Sequence, residues 1–520
     1  MNGAWLAAWL LLAPSDGATF VESHLRLNNP IHSYQRADLN QDGREDLILV
    51  HCDDNHDRVL HIYYLQADQH YPTEASVRIP AKKDVIAYTV ANVRSDPGLE
   101  IVFLTRSAAF SYSPTKPGYR DNIDRLFQAD MVLDLPDPED LPFLNIAGDL
   151  DGDGWGEIVL PVDGGFEIFG RTPAGAYQQA DRIDLGSAAK PAMVKVQGNR
   201  RGFSFSLQSP NRSFLIDERE AGAGLFRDQF FQAGASVPVP RLYDIDGDRL
   251  RDVVIQRAAQ LEIFAQGPGL SFPEQRHRVI DLPSYLKDAD ARGNVPHGLI
   301  PIDIDGDGLP DLVARGTPSS GFGGKEIIYN FYLNKGHGDV LREEPDYRLK
   351  FKGFDADLQL QDVDHDQRMD VLVNVWDAPI GPETAIAGVK IVLDTYLFMG
   401  VPGKLYERSP SLTLPATFRP DQIAKLERRG LHAGDFNGDG FMDLCGVGAD
   451  GAVVITPLRR TTSLFGSASI EADPEPLYRY AADKKIQHLE VVDVNQDGIA
   501  DLLVRFKNEL AVLVSAGGRK

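Results

Sequence analysis

Seven short stretches of this 520-residue chain set oxygen-bearing side chains at alternate positions, in the form D-x-[DN]-x-D-x-x-x-[DE]. Loop one carries Asp38, Asn40, Asp42 and Asp46, and loop two carries Asp149, Asp151, Asp153 and Glu157. Loop three has Asp244, Asp246, Asp248 and Asp252; loop four has Asp303, Asp305, Asp307 and Asp311. Loop five has Asp362, Asp364, Asp366 and Asp370, loop six Asp435, Asn437, Asp439 and Asp443, and loop seven Asp493, Asn495, Asp497 and Asp501. Three or four carboxylates packed this closely repel one another unless a cation lies between them. Calcium fits the donor set, because it is a hard ion that takes six to eight oxygens at about 2.3–2.6 Å. Positions 1, 3, 5 and 9 offer side-chain oxygens. Position 7 (Arg44, Trp155, Leu250, Leu309, Arg368, Phe441, Ile499) can offer its backbone carbonyl. Glycine at position 6 allows a sharp turn. Loops three and five place Arg249 and Gln367 there, so their turns are expected to be strained or altered. The sequence thus predicts up to seven calcium ions.

An EF-hand needs a glutamate at position 12 and then a helix. Here position 12 is Leu49, Leu160, Ile255, Ala314, Val373, Gly446 and Val504, and each loop runs into an apolar strand such as LILV or LLVRF. Dockerin-type loops are excluded by the same missing helix. The formal net charge is −23, which argues against nucleic acid as a partner. Twenty-five of the 76 acids stand at ligand positions of the loops, and the remaining 51 balance the 53 Lys and Arg. The acidity therefore belongs to the loops rather than to the surface as a whole.

The elements around the loops repeat. A short apolar strand enters each loop, a second leaves it, and a third follows a turn (RVLHIYYL, GFEIFG, QLEIFAQ, IIYNFYLN, ELAVLVS) before a more polar fourth. The long interval between loops one and two holds a decayed copy, Asn92-Val-Arg94-Ser-Asp96-Pro-Gly-Leu-Glu100, in which Arg94 replaces a ligand. The interval between loops two and three holds VKVQGNRRGFSFSL, with no acids. The count is nine repeat units, seven of them with metal loops. Four short strands per unit predict an all-β fold, a single β-propeller of four-stranded blades. Seven to nine blades are expected. Thr19–Leu27 is a lone strand that can clasp the last repeat and close the ring, removing the open sheet edges.

Ala4–Ala13 is an apolar run of signal-peptide length, followed by small residues, with cleavage after Ser15 or Ala18. Residues 1–18 then form an export signal and 19–520 the propeller, for a secreted or periplasmic protein; a buried first strand is the alternative. No later run is long enough to cross a bilayer. Cys52 and Cys445 are either paired or two lone buried thiols.

The loop pattern D-x-[DN]-x-D-G-x-x-D followed by a strand resembles the FG-GAP repeat of integrin-α-type propellers and its VCBS-like relatives, over essentially the whole mature chain. The Phe-Gly and Gly-Ala-Pro marks of integrin repeats are absent, which favours the VCBS-like branch. The resemblance implies metal loops between first and second strands along one propeller face. The longest insertions, Pro283–His297, Gly316–Lys325, Trp376–Gly388 and Ala416–Gly430, would then share the opposite face. Candidate ligand-binding residues there are Tyr285, Arg292, His297, Phe322, Lys325, Trp376, Arg419, Lys425, Arg428 and Arg429. His51-Cys-Asp53-Asp54-Asn-His56-Asp57 has metal-binding residue types but sits where a polar turn belongs. No G-x-S-x-G, H-E-x-x-H or phosphate loop occurs. The expected function is a non-enzymatic scaffold that binds protein or glycan; the alternative is a polysaccharide lyase or hydrolase on the same fold.

Overall fold

The computed structural model describes residues 19–118, 122–136, 138–185, 194–197, 230–232, 240–257, 260–281, 299–316, 326–336, 342, 344–353, 355–377, 390–419, 430–462 and 468–516. The apolar N-terminal run lies outside them.

Each loop segment is flanked by strands that pair antiparallel in sequence order, giving eight four-stranded sheets. Blade 1 is Ile31–Ala37, Asp46–Cys52, Arg58–Tyr63 and Val77–Pro80; blade 2 is Ala87–Ala91, Glu100–Leu104, Ala108–Tyr112 and Ile123–Gln128. Blade 3 is Ala147–Gly148, Glu157–Val162, Gly165–Arg171 and Tyr177–Asp184; blade 4 is Arg241–Tyr243, Asp252–Arg257, Gln260–Phe264 and His277–Asp281. Blade 5 is Leu299–Ile302, Asp311–Gly316, Glu326–Tyr332 and Tyr347–Lys352; blade 6 is Asp355–Gln361, Asp370–Asp377, Ile391–Phe398 and Leu412–Phe418. Blade 7 is Leu431–Gly434, Asp443–Val447, Val453–Thr456 and Tyr478–Tyr480. Blade 8 takes His488–Val492, Asp501–Arg505 and Glu509–Ser515 from the C-terminal end and Phe20–Arg26 from the N-terminal end.

The core is eight apolar layers, one between each pair of neighbouring blades. Leu47, Leu49 and Tyr63 meet Leu503, Val512 and Val514 between blades 1 and 8. Leu150, Val159 and Phe166 meet Val253, Ile255 and Phe264 between blades 3 and 4. The six other interfaces have their own layers. An inner strand is covered on both faces, so it is buried at every position and mostly apolar, as in Asp46–Cys52 and Glu509–Ser515. The outer fourth strand is covered on one face, and Val77–Pro80 alternates accordingly.

The ring is an eight-bladed β-propeller, within the seven to nine expected. The ninth unit counted in the sequence stays outside it. Its Val194–Gln197 pairs with Leu133–Asp134 and Phe230–Gln232 in a three-stranded sheet, while blades 3 and 4 pack directly on each other. The rest of that unit lies outside the described residues. Cys52 and Cys445 are buried thiols in different blades, without a disulfide. No helix among the described residues is long and apolar enough to cross a membrane.

Candidate metal centres

Each loop is folded by its own acids. The position-1 carboxylate receives the N–H of position 4 or 5 on one oxygen and that of position 6 on the other. Asp149 takes Gly152 and Gly154, Asp303 takes Gly306 and Gly308, and Asp493 takes Asp497 and Gly498. The position-5 Oδ1 receives the N–H of position 7 at 2.8–3.0 Å, from Arg44, Trp155, Leu250, Leu309, Arg368, Phe441 and Ile499. This wrap needs left-handed backbone at position 6, where Arg249 and Gln367 both adopt φ 70°, the strain expected of them. It also needs it at position 4, where Gln41, His365 and Gln496 are left-handed without being glycine.

The position-9 acid is a buried staple. One oxygen receives the N–H of position 2, and in loops one, three, four, five and seven the other receives an N–H at or just beyond the end of the third strand. In those five loops all ten bonds measure 2.6–3.1 Å. Burial pushes Asp46, Asp252, Asp311 and Asp370 up to about 7 and Glu157 and Asp443 up to about 8, against the pull of these N–H groups; the neighbouring loop carboxylates add to the rise. A cation in the loop would relieve that repulsion.

In loops two, four and five, ligand oxygens of positions 1, 3 and 9 lie within 4.8 Å of one another: Asp149, Asp151 and Glu157; Asp303, Asp305 and Asp311; Asp362, Asp364 and Asp370. In loop three the group is Asp244, Asp246 and Asp248. Loops one, six and seven have asparagine at position 3, and Oδ1 of Asn40, Asn437 and Asn495 receives the position-5 N–H. Oδ1 of Asp305 and of Asp364 is buried without a hydrogen-bond partner. An orphaned carboxylate oxygen inside an acidic cluster is what a hard divalent cation would satisfy, so loops four and five fit calcium on their own geometry.

Adjacent loops are joined to one another. The position-8 N–H donates to the carbonyl of position 2 of the preceding loop in Glu45→Val494, Leu99→Leu39, Arg251→Leu150, Met369→Ile304 and Met442→Val363; Gly156→Asn92 and Ala500→Asp435 reach position 1 instead. Pro310 occupies position 8 of loop four and has no N–H. There the Asn334 side chain donates to Ile245 O at 2.8 Å and to Pro310 O at 3.2 Å. The position-8 carbonyls of loops one, two and five accept Tyr71, Tyr177 and Tyr406 hydroxyls. The result is a closed belt of hydrogen bonds around all eight blades.

In blade 2 an arginine stands at position 3 of the loop. Arg94 donates to Ser111 Oγ at 2.8 Å and to Asn122 Oδ1 at 3.0 Å, with Asp124 3.3 Å away. Of the candidate ligand-face residues only Trp376 and Arg419 are described. Trp376 is buried against Phe418, and Arg419 is exposed. Most of the four insertions, with the other eight candidates, lie outside the described residues. The stretch from His51 forms a polar turn, with Asp53 Oδ1 receiving the N–H groups of Asn55 and Asp57. His51 turns inward to His61, Nε2 to Nε2 at 3.0 Å.

No protein-family model and no curated protein matches this chain. Among solved structures it is similar to BBS1N in complex with ARL6DN, at 9% identity over 96% of this chain and 97% of that one, TM-score 0.38. It is also similar to Chaetomium thermophilum Sqt1 bound to the N-terminus of a ribosomal protein (10%, 96% and 100%, TM-score 0.41). A third is an Agrocybe aegerita lectin specific for non-reducing terminal N-acetylglucosamine (13%, 88% and 91%, TM-score 0.34). Similarity at this level carries no argument about function.

Proposed function

We propose that this protein is an exported, calcium-stabilised β-propeller of the FG-GAP/VCBS-like kind that serves as a non-enzymatic binding scaffold for a protein or glycan. The observation that carries the calcium reading is the pair of orphaned oxygens, Asp305 Oδ1 and Asp364 Oδ1, inside converging carboxylate clusters. Calcium would be held by positions 1, 3, 5 and 9 and the position-7 carbonyl. What it supplies is charge neutralisation that locks each hairpin into the belt. Its role is structural, because the loop acids are already engaged with their own backbone. The ligand is expected on the opposite face, where the sequence concentrates its insertions on a rigid scaffold. Export rests on the apolar run Ala4–Ala13.

At millimolar calcium, sites with Kd of about 10⁻⁴–10⁻³ M each contribute about 0.5–1.5 kcal/mol. EDTA is therefore expected to lower the melting temperature by many degrees, and added calcium to restore it. An unchanged melt in EDTA removes the structural role. Glycan-array binding or capture of a defined surface protein on immobilised propeller supports the scaffold; turnover of a uronic-acid polymer, lost on Arg419→Ala, would replace it by an enzyme.

A further inference from the structure

Loop three gathers its carboxylates around an arginine. Nη2 of Arg276 lies 2.9 Å from Asp246 Oδ2 and 2.8 Å from Asp248 Oδ2. It thereby bridges positions 3 and 5, two of the side chains a metal would need. Arg276 is placed by rigid neighbours. It ends the 3-10 turn Glu274–Arg276, and its N–H donates to Pro273 O at 2.8 Å. The next residue, His277, stacks flat on Phe264 with ring centroids 4.1 Å apart, and its Nε2 lies 3.2 Å from Glu262 Oε2.

Loop three also departs from the metal pattern on its own account. Position 6 is Arg249 in left-handed backbone rather than glycine, a departure shared with Gln367 of loop five. Its acidic cluster lacks the position-9 acid that joins in loops two, four and five. Among the described residues, it has no buried carboxylate oxygen without a partner, unlike loops four and five. The other arginines near loops do less. Arg460, from the hairpin of Leu458–Thr462 and Ala468–Ala472, touches only Asp364 Oδ2 at 3.2 Å and leaves Oδ1 orphaned. Arg44 meets Asp42 and donates its Nε–H to Leu65 O. In blade 2 Arg94 stands at position 3 itself and lies 3.8 Å from Asp96 at position 5.

We propose that Arg276 is the resident cation of loop three, so that blade 4 is closed by a tethered guanidinium and takes no calcium while the remaining acidic loops do. This rests on the calcium reading of those loops. A guanidinium spans two carboxylates with fixed planar donors. Being tethered, it competes at an effective concentration of millimolar order or above, comparable with the Kd of a weak extracellular calcium site.

The test is bound calcium per chain, by equilibrium dialysis with metal analysis on the full mature protein. Asp305→Ala is expected to lose one equivalent, Asp246→Ala none, and Arg276→Gln to gain one. Loss of an equivalent in Asp246→Ala, or no gain in a folded Arg276→Gln, overturns the assignment; Asp246→Ala decides it if Arg276→Gln does not fold. A chain that holds no calcium sinks the reading of the other loops instead. The arginine assignment then stands if Asp246→Ala restores the melting temperature that Arg276→Gln loses, and falls if it does not.

Discussion

At the scale of single residues, acids of one type do two different jobs. Asp370 spends both oxygens on backbone N–H groups, the buried one of Val363 and the half-buried one of Gly400. Asp305 keeps an oxygen with no protein partner. Asp370→Ala strands one buried and one half-buried donor, at up to about 1–3 kcal/mol each. It is expected to lower stability by about 2–5 kcal/mol whether or not calcium is present. For Asp305, burial and the repulsion from Asp307 and Asp303 outweigh the Asp307 N–H and the Arg368 charge, so without metal Asp305→Ala should cost little, and its cost should show in calcium and shrink in EDTA. Denaturant melts of both variants in each buffer separate the roles; equal calcium dependence would mean that position 9 acts only through the metal. A second residue-scale expectation concerns His61. Burial, with His51 and Arg78 beside it, pulls its pKa down to about 4. The unfolded chain binds a proton there below about 6.5 while the folded chain does not, so the contribution of His61 to stability falls as pH drops from about 6.5 to about 4, opposite in sign to that of the raised position-9 acids. The loss is about 1–2 kcal/mol after allowing for solvent screening. The difference between the stability–pH curves of the wild type and His61→Leu should show that loss between about 6.5 and 4, and parallel curves would place the titration elsewhere.

At the scale of elements, the belt of loop-to-loop hydrogen bonds explains why the hairpins stay in phase. Its one break in backbone donors is Pro310, bridged by the buried side chain of Asn334. Asn334→Ala leaves the carbonyl of Ile245 without that donor, and should cost about 1–3 kcal/mol by urea melts. A neutral result would mean that the belt is geometry without energy. The strands and loop positions were legible because the acids recur in register with apolar runs, and burial on both faces writes a continuous apolar strand. The belt was not legible. It uses the backbone of positions 8 and 2, which carry residues as different as Glu45, Gly156 and Met369. Left-handed position 4 is marked by glycine in loops two, three, four and six, but Gln41, His365 and Gln496 give no such signal in the other three. VKVQ reads as a strand entering a unit, but a strand pattern does not say which sheet it joins. Arg276 was overlooked because it lies 28 residues from Asp248, and nothing in that spacing suggests contact.

At the scale of the whole molecule, eight interblade layers close only if the first strand completes the last blade. Phe20–Arg26 pairs with Ser515–Glu509 along its whole length, and Leu25 is fully buried between blades 8 and 1. His24 Nδ1 lies 2.8 Å from Glu509 Oε1, and Ser23 Oγ receives the N–H of Tyr71 in blade 1. The strand therefore joins both sides of the closure. Without it, the apolar strand ELAVLVS becomes an open edge, a template for pairing with other chains. Removal of residues 19–27 is expected to lower the melting temperature by roughly 10 °C or more and to give oligomers by light scattering. A peptide of residues 19–27 added in trans should reverse both effects, because the groove it fills is formed by the rest of the ring. A truncated chain that stays monomeric and melts with the intact one would show that the ring closes by contacts between blades alone.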